Sequence, residues 1–164
     1  MNYYKKYMRI IGKPTIHPVL FFTGKIAGYI TWIFLLLSIT RIVEIGHNSI
    51  IFTEYLSYSL FALGLLLSII STINLGRSTT LGLPTEKTNF KKGGLYKVSR
   101  NPMYLGFDLL TLASIIFHMN VIIALMGTYS IFIYHTIILG EEKYLERQFG
   151  KEYMEYKARI RRYL

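Results

Sequence analysis

The chain has no cysteine, which excludes disulfides, thiolate metal sites and thiol nucleophiles together. Its four histidines, His17, His47, His118 and His135, show no metal-ligand spacing, so no metal is expected. Charge is scarce as well. Charged residues make up 17% of the 164, against about 25% in soluble domains. Acidic residues are the scarcest, nine against 19 Lys and Arg. There is no internal repeat, low-complexity tract or base-reading motif, so the net charge of +10 reads as membrane topology and attraction to anionic headgroups rather than nucleic-acid binding. The first residues also lack a short apolar stretch followed by a small-residue cleavage site, so no secretory signal is expected.

What is abundant is apolar sequence, 52% of residues with a mean hydropathy of +0.35, gathered into runs. A run of about 20 apolar residues crosses the ~30 Å hydrocarbon core as a helix. The runs 18–40, 49–75, 103–117 and 121–139 predict an all-α polytopic membrane protein with four transmembrane helices in one domain, 1–164. Lys25 in the first run is expected to snorkel from near its end, and Glu54 opens the second. Lys5, Lys6, Arg9 and Lys13 precede the first span. Arg77, Lys87, Lys91, Lys92, Lys97 and Arg100 lie between the second and third, and Lys143, Arg147, Lys151, Lys157, Arg159, Arg161 and Arg162 follow the fourth. The other two connections hold only Arg41. The positive-inside rule then places both termini in the cytoplasm. The polar linker 77–92 reads as a loop.

His118, Met119 and Asn120 separate the last two runs and predict a tight hairpin turn, with one long bent helix as the alternative. Arg100 lies 19 residues before Met119 and Ile138 19 after it, so each arm covers about 28 Å. Residues 96–104 and 134–142 therefore meet at one interface. Arg100, Asn101, Tyr104, His135, Glu141 and Glu142 become neighbours. Charges at such depth are costly unless paired, and so mark candidate sites; counting toward topology or opening a charged tail is the blander reading of Arg100 and the glutamates. Asn101 is expected to cap the third helix, with Pro102 as its first residue. Asp108, four after Tyr104 and on the same face, is expected to make an interhelical hydrogen bond or to reach a substrate. The tail 141–164 carries Leu145, Phe149, Tyr153, Tyr156, Ile160 and Tyr163 at intervals of three or four. This predicts an amphipathic cytoplasmic helix, breakable at Gly150, lying on the membrane or against the 77–92 loop.

Leu75 to Ser78 (LGRS), Gly94 to Gly106 (GLYKVSRNPMYLG) and Glu141 to Tyr156 (EEKYLERQFGKEYMEY) together resemble the isoprenylcysteine carboxyl methyltransferase family and its phospholipid methyltransferase relatives. That pattern runs Gly-x-Tyr, three residues, Arg-His-Pro-x-Tyr, a helical hairpin, Glu-Glu, then Phe-Gly-x-x-Tyr-x-x-Tyr. The resemblance implies a membrane enzyme using S-adenosylmethionine without a Rossmann domain, in keeping with the lack of a Gly-x-Gly-x-x-Gly turn. The cofactor would lie at the cytosolic interface, and a lipid-like or lipidated hydrophobic acceptor would arrive from the bilayer. By motif position Gly94, Tyr96, Arg100, Asn101, Tyr104, Glu141 and Glu142 would hold the cofactor. Arg100 and Glu142 would be catalytic, with Asp108 and His135 toward the acceptor. Asn101 replaces the family's usual histidine and cannot titrate. Carboxylate O-methylation of an isoprenylcysteine-like group is the favoured expectation, with phospholipid amine N-methylation as its alternative. An NADPH-dependent sterol-reductase-like enzyme and a non-catalytic scaffold are the readings from other classes.

Overall fold

The computed structural model describes residues 13–43, 51–76 and 90–164. The basic residues Lys5, Lys6 and Arg9, His47, and Arg77, Ser78 and Lys87 of the polar linker lie outside them. Four α-helices account for most of the described chain: α1 Pro18–Ile39, α2 Ile51–Leu75, α3 Pro102–His118 and α4 Val121–Arg159, with a 3-10 turn at Gly94–Lys97. Helices α1, α2 and α4 are long and apolar enough to cross a membrane; α3, with 17 residues, is a shorter apolar helix reaching about 26 Å. The described residues carry no strand, and the chain is an integral membrane protein.

Small residues let these helices approach, as expected where lipid removes the hydrophobic drive between them. The buried residues of α2 are Ser57, Gly64 and Ser71, one stripe at intervals of seven, and they face α3. Ser57 Oγ donates to Ala113 O at 2.8 Å, and a Cβ on Gly106 would lie 2.4 Å from Ser68 Oγ and 2.8 Å from Gly64 O. On α1 the stripe Phe21, Gly24, Gly28, Thr31 and Leu35 is buried; Gly24 lies against Ile133, and Gly28 against Ser130, of α4. Helix α3 touches all three others. A cluster of Phe21, Tyr104, Ile133, Tyr134, Ile137 and Ile138 fills the space between α1, α3 and α4.

The hairpin forms as expected. Met119 adopts a left-handed φ of 47° that closes α3, and Asn120 Oδ1 accepts from Ile122 N at 2.9 Å and Ile123 N at 3.4 Å to cap α4. Beyond the fourth apolar run the helix continues to Gly150, where φ 49° and ψ −121° break it. Tail residues Phe149, Tyr153 and Tyr156 then pack their rings on Phe90, with centroids 5.1–5.5 Å away, so this face covers the end of the linker. Lys25 does not snorkel: it is buried, with Nζ 4.2 Å above the Phe21 ring centroid.

Candidate active site at the open end of the hairpin

Pro102 begins α3, but Asn101, at the N-cap position, makes no capping hydrogen bond. Its amide turns instead toward α4, and Nδ2 donates to Glu142 Oε1 at 3.3 Å and to Arg162 O at 3.2 Å. The capping expectation for Asn101 is therefore corrected: the amide is oriented by the two bonds its Nδ2 donates, one of them to a charged carboxylate, and Pro102 leaves one orphan donor fewer for a cap to serve.

Glu142 is the centre of the cluster. Arg100 NH2 lies 3.0 Å from Oε1, with both side chains buried. Arg162 adds Nε to Oε1 at 3.2 Å and NH2 to Oε2 at 2.9 Å. Arg100 NH1 donates to Lys157 O at 3.1 Å, while its buried Nε has no partner among the described residues. Burial pushes the Glu142 carboxyl upward. The Arg162 hydrogen bonds, the Arg100 charge and the Asn101 amide outweigh it and hold the group below the ordinary carboxylate range.

Glu141 belongs to a second set. Tyr104 OH donates to its Oε1 at 2.7 Å, and burial raises its carboxyl above the ordinary range, against the Tyr104 bond and the Lys25 charge. The double glutamate thus divides, with only Glu142 paired to Arg100. The register also differs from equal helical arms, since Arg100 meets Glu142 rather than Ile138. Residues 99–101 are not helical, so the chain there rises by more than 1.5 Å per residue.

Tyr96 is buried nearby, and its carbonyl accepts from Tyr156 OH at 2.6 Å. Gly94, at φ 59°, packs against Asn74 at the end of α2, where a Cβ would meet the amide at 2.3 Å; no contact joins it to Glu142. His135 Nδ1 bonds Tyr163 OH at 2.7 Å, deeper along α4. Asp108 Oδ1 is buried without a hydrogen-bond partner among the described residues, so the interhelical hydrogen bond expected of it is not made through that atom.

Three participants escaped sequence reading. Arg162 counted only as a topological charge, Tyr163 as one step of an apolar face, and Ser99 had no role within the motif Gly94 to Gly106. After Ile160 leaves the helix with extended φ and ψ, the last residues run back across the site. Arg161 O accepts from Arg100 N at 3.0 Å, and Arg162 O from Ser99 Oγ at 3.2 Å. Nothing in the spacing marked these last residues, because the apolar interval of three or four runs unbroken through Ile160 and Tyr163.

A helical membrane protein with a buried arginine–carboxylate pair, joined by a second, part-exposed arginine from a strap of residues 160–164, is the class this geometry defines. Residues 52–152 match the family model described as phospholipid methyltransferase, and the chain belongs to that family of membrane methyltransferases. Neither a curated protein nor a solved structure matches the chain significantly.

Proposed function

We propose that the protein transfers a methyl group from S-adenosylmethionine to a lipid-like acceptor at the cytoplasmic membrane face, with the chain crossing the bilayer four times and both termini cytoplasmic. The observation that carries this reading is the Glu142 cluster. A carboxylate kept ionised and an orphaned buried N–H lie together in a chain whose family is methyltransferase. The residues suit the cofactor's zwitterionic end. Arg100 Nε has a donor to spare for a carboxylate. Among the described residues Glu142 Oε2 accepts only from Arg162, and it keeps capacity for an ammonium or ribose hydroxyl. Asn101, Tyr96 and Tyr104 wall this end, and Gly94 shapes the turn that enters it.

The cofactor, when bound, supplies a methyl group on a cationic sulfur. The chain's part is to position donor and acceptor, which supplies much of the rate in such displacements. Arg100 spends one donor each at NH1 and NH2 of its five, so it does not itself decide the acceptor. The match to the phospholipid methyltransferase family favours an amine acceptor, which must lose a proton before attack. Glu141, with its carboxyl raised, is placed to take one.

Purified inverted membrane vesicles, with the cytoplasmic face outermost, should transfer labelled methyl groups into solvent-extractable lipid, whereas sealed right-side-out vesicles should not. Breaking a buried pair costs about 3–5 kcal/mol, so Arg100→Ala and Glu142→Gln should each abolish turnover. Lys92→Ala, which removes an ion pair exposed on both sides, should leave it unchanged. Turnover retained in both cluster variants would refute the placement of the site.

A further inference from the structure

Lys25 is a buried cation in the first membrane helix, outside residues 52–152 that the family model matches. The way α1 lies on α4 decides where its charge acts. Thr15 lies against Gly140, Gly24 against Ile133 and Gly28 against Ser130, so the two helices run antiparallel and Phe21 falls between the levels of Ile133 and Gly140. Side chains lean toward the N-terminus of their own helix, and in an antiparallel pair they therefore lean toward each other. Lys25 does this: its Nζ reaches back one turn to lie 4.2 Å from the centroid of the Phe21 ring. Phe21 packs in one cluster with Tyr104, Ile137 and Ile138, and Tyr104 OH donates to Glu141 Oε1 at 2.7 Å. Nζ and the Glu141 carboxylate then differ in depth by about one helical turn, ~5 Å.

Among the described residues, three titratable groups face Glu141: Tyr104 from α3, Tyr96 from the 3-10 turn and Lys25 from α1. Its neighbour Glu142 is turned to the two arginines. Tyrosine is neutral below about pH 10, so the positive charge among the three is that of Lys25. Burial alone would favour a protonated Glu141, which cannot accept a proton. We infer that Lys25 is a positioning residue for proton uptake at Glu141: its charge, held at the depth that the α1–α4 register fixes, keeps that carboxylate able to act as the base. The inference rests on the methyl-transfer reading for what the base serves, but the coupling of Lys25 to Glu141 is measurable without cofactor or acceptor. The competing role, a cation resting on the Phe21 ring and nothing more, leaves Glu141 unaffected.

Full-length protein in dodecyl maltoside is titrated with pH and followed by infrared spectroscopy. The C=O stretch of the protonated Glu141 carboxyl is the band lost when Glu141→Gln is made in the same Lys25 background. A nearby opposite charge moves a carboxyl's midpoint by about 1–3 in pH, so Lys25→Met should raise the midpoint of this band by at least about 1. Lys25→Arg should leave it near wild type. A midpoint unchanged in Lys25→Met, or one that rises as far in Lys25→Arg, would overturn the inference. Methionine keeps an apolar stem on Phe21; should Lys25→Met fail to fold, Lys25→Gln is read in the same way. Methyl transfer is followed over the same range, and its acid limb should move up with the band in Lys25→Met. A limb that stays fixed while the band moves would also overturn the inference. Absence of transfer in wild type at every pH would instead sink the methyl-transfer reading and leave the coupling standing on the infrared result.

Discussion

Glu141 and Glu142 are adjacent on α4, yet their surroundings drive their carboxyls in opposite directions, because one faces two guanidinium groups and the other a phenol in a buried setting. Glu142 is held below its ordinary value of 4.5, so the unfolded chain binds its proton more readily. Its contribution to stability is therefore full above about pH 4.5 and is lost as pH falls through the lower folded value. Glu141 is raised above 4.5, so the folded chain holds that proton more tightly, and its contribution declines as pH rises upward from 4.5. Thermal unfolding of detergent-solubilised protein across this range should show Glu142→Gln without the acid-side loss and Glu141→Gln without the decline above pH 4.5. Identical profiles in wild type and both variants would show that neither carboxylate is in the described environment. At this scale the sequence pointed to both glutamates and to Arg100 through the cost of charge near lipid. It could not say which glutamate takes the arginine, since that depends on the non-helical rise of residues 99–101. Arg162 was hidden because a terminal arginine reads the same whether it faces water or folds back.

Among elements, the hairpin was legible: Asn120 carries a capping side chain between two apolar runs, and the alternative of a continuous helix fails at the left-handed Met119. Gly150 was legible for the same kind of local reason. The fit of α2 against α3 was not, because a small residue every seventh position looks like ordinary composition until the partner helix is known. Gly64 and Gly106 bring the two backbones together so closely that a Cβ on Gly106 would lie 2.8 Å from Gly64 O and 2.9 Å from Ser68 N. The backbone cannot yield as a flexible side chain would. Overpacking typically costs about 1–3 kcal/mol, so Gly106→Val should lower the thermal unfolding midpoint in detergent distinctly. Gly93→Ala is the comparison, since a Cβ there meets nothing within 4 Å, and it should leave the midpoint near wild type. A Gly106→Val midpoint equal to wild type would mean that α2 and α3 do not pack through these glycines.

For the whole molecule, the arrangement of charge and grease directs both the membrane reading and the site. Apolar side chains such as Phe52, Ile73 and Leu125 remain exposed on the helices, facing where lipid would lie, while the arginines, the two glutamates and the last five residues gather at one end. That end is the proposed working end, and S-adenosylmethionine is the ligand its cluster is proposed to hold. Equilibrium binding of S-adenosylmethionine and of NADPH to detergent-purified wild type and Glu142→Gln tests this most directly. Saturable binding of S-adenosylmethionine alone, weakened by at least about tenfold in Glu142→Gln, is the expected result. Saturable NADPH binding with none of S-adenosylmethionine, or S-adenosylmethionine binding unaffected by Glu142→Gln, would contradict it.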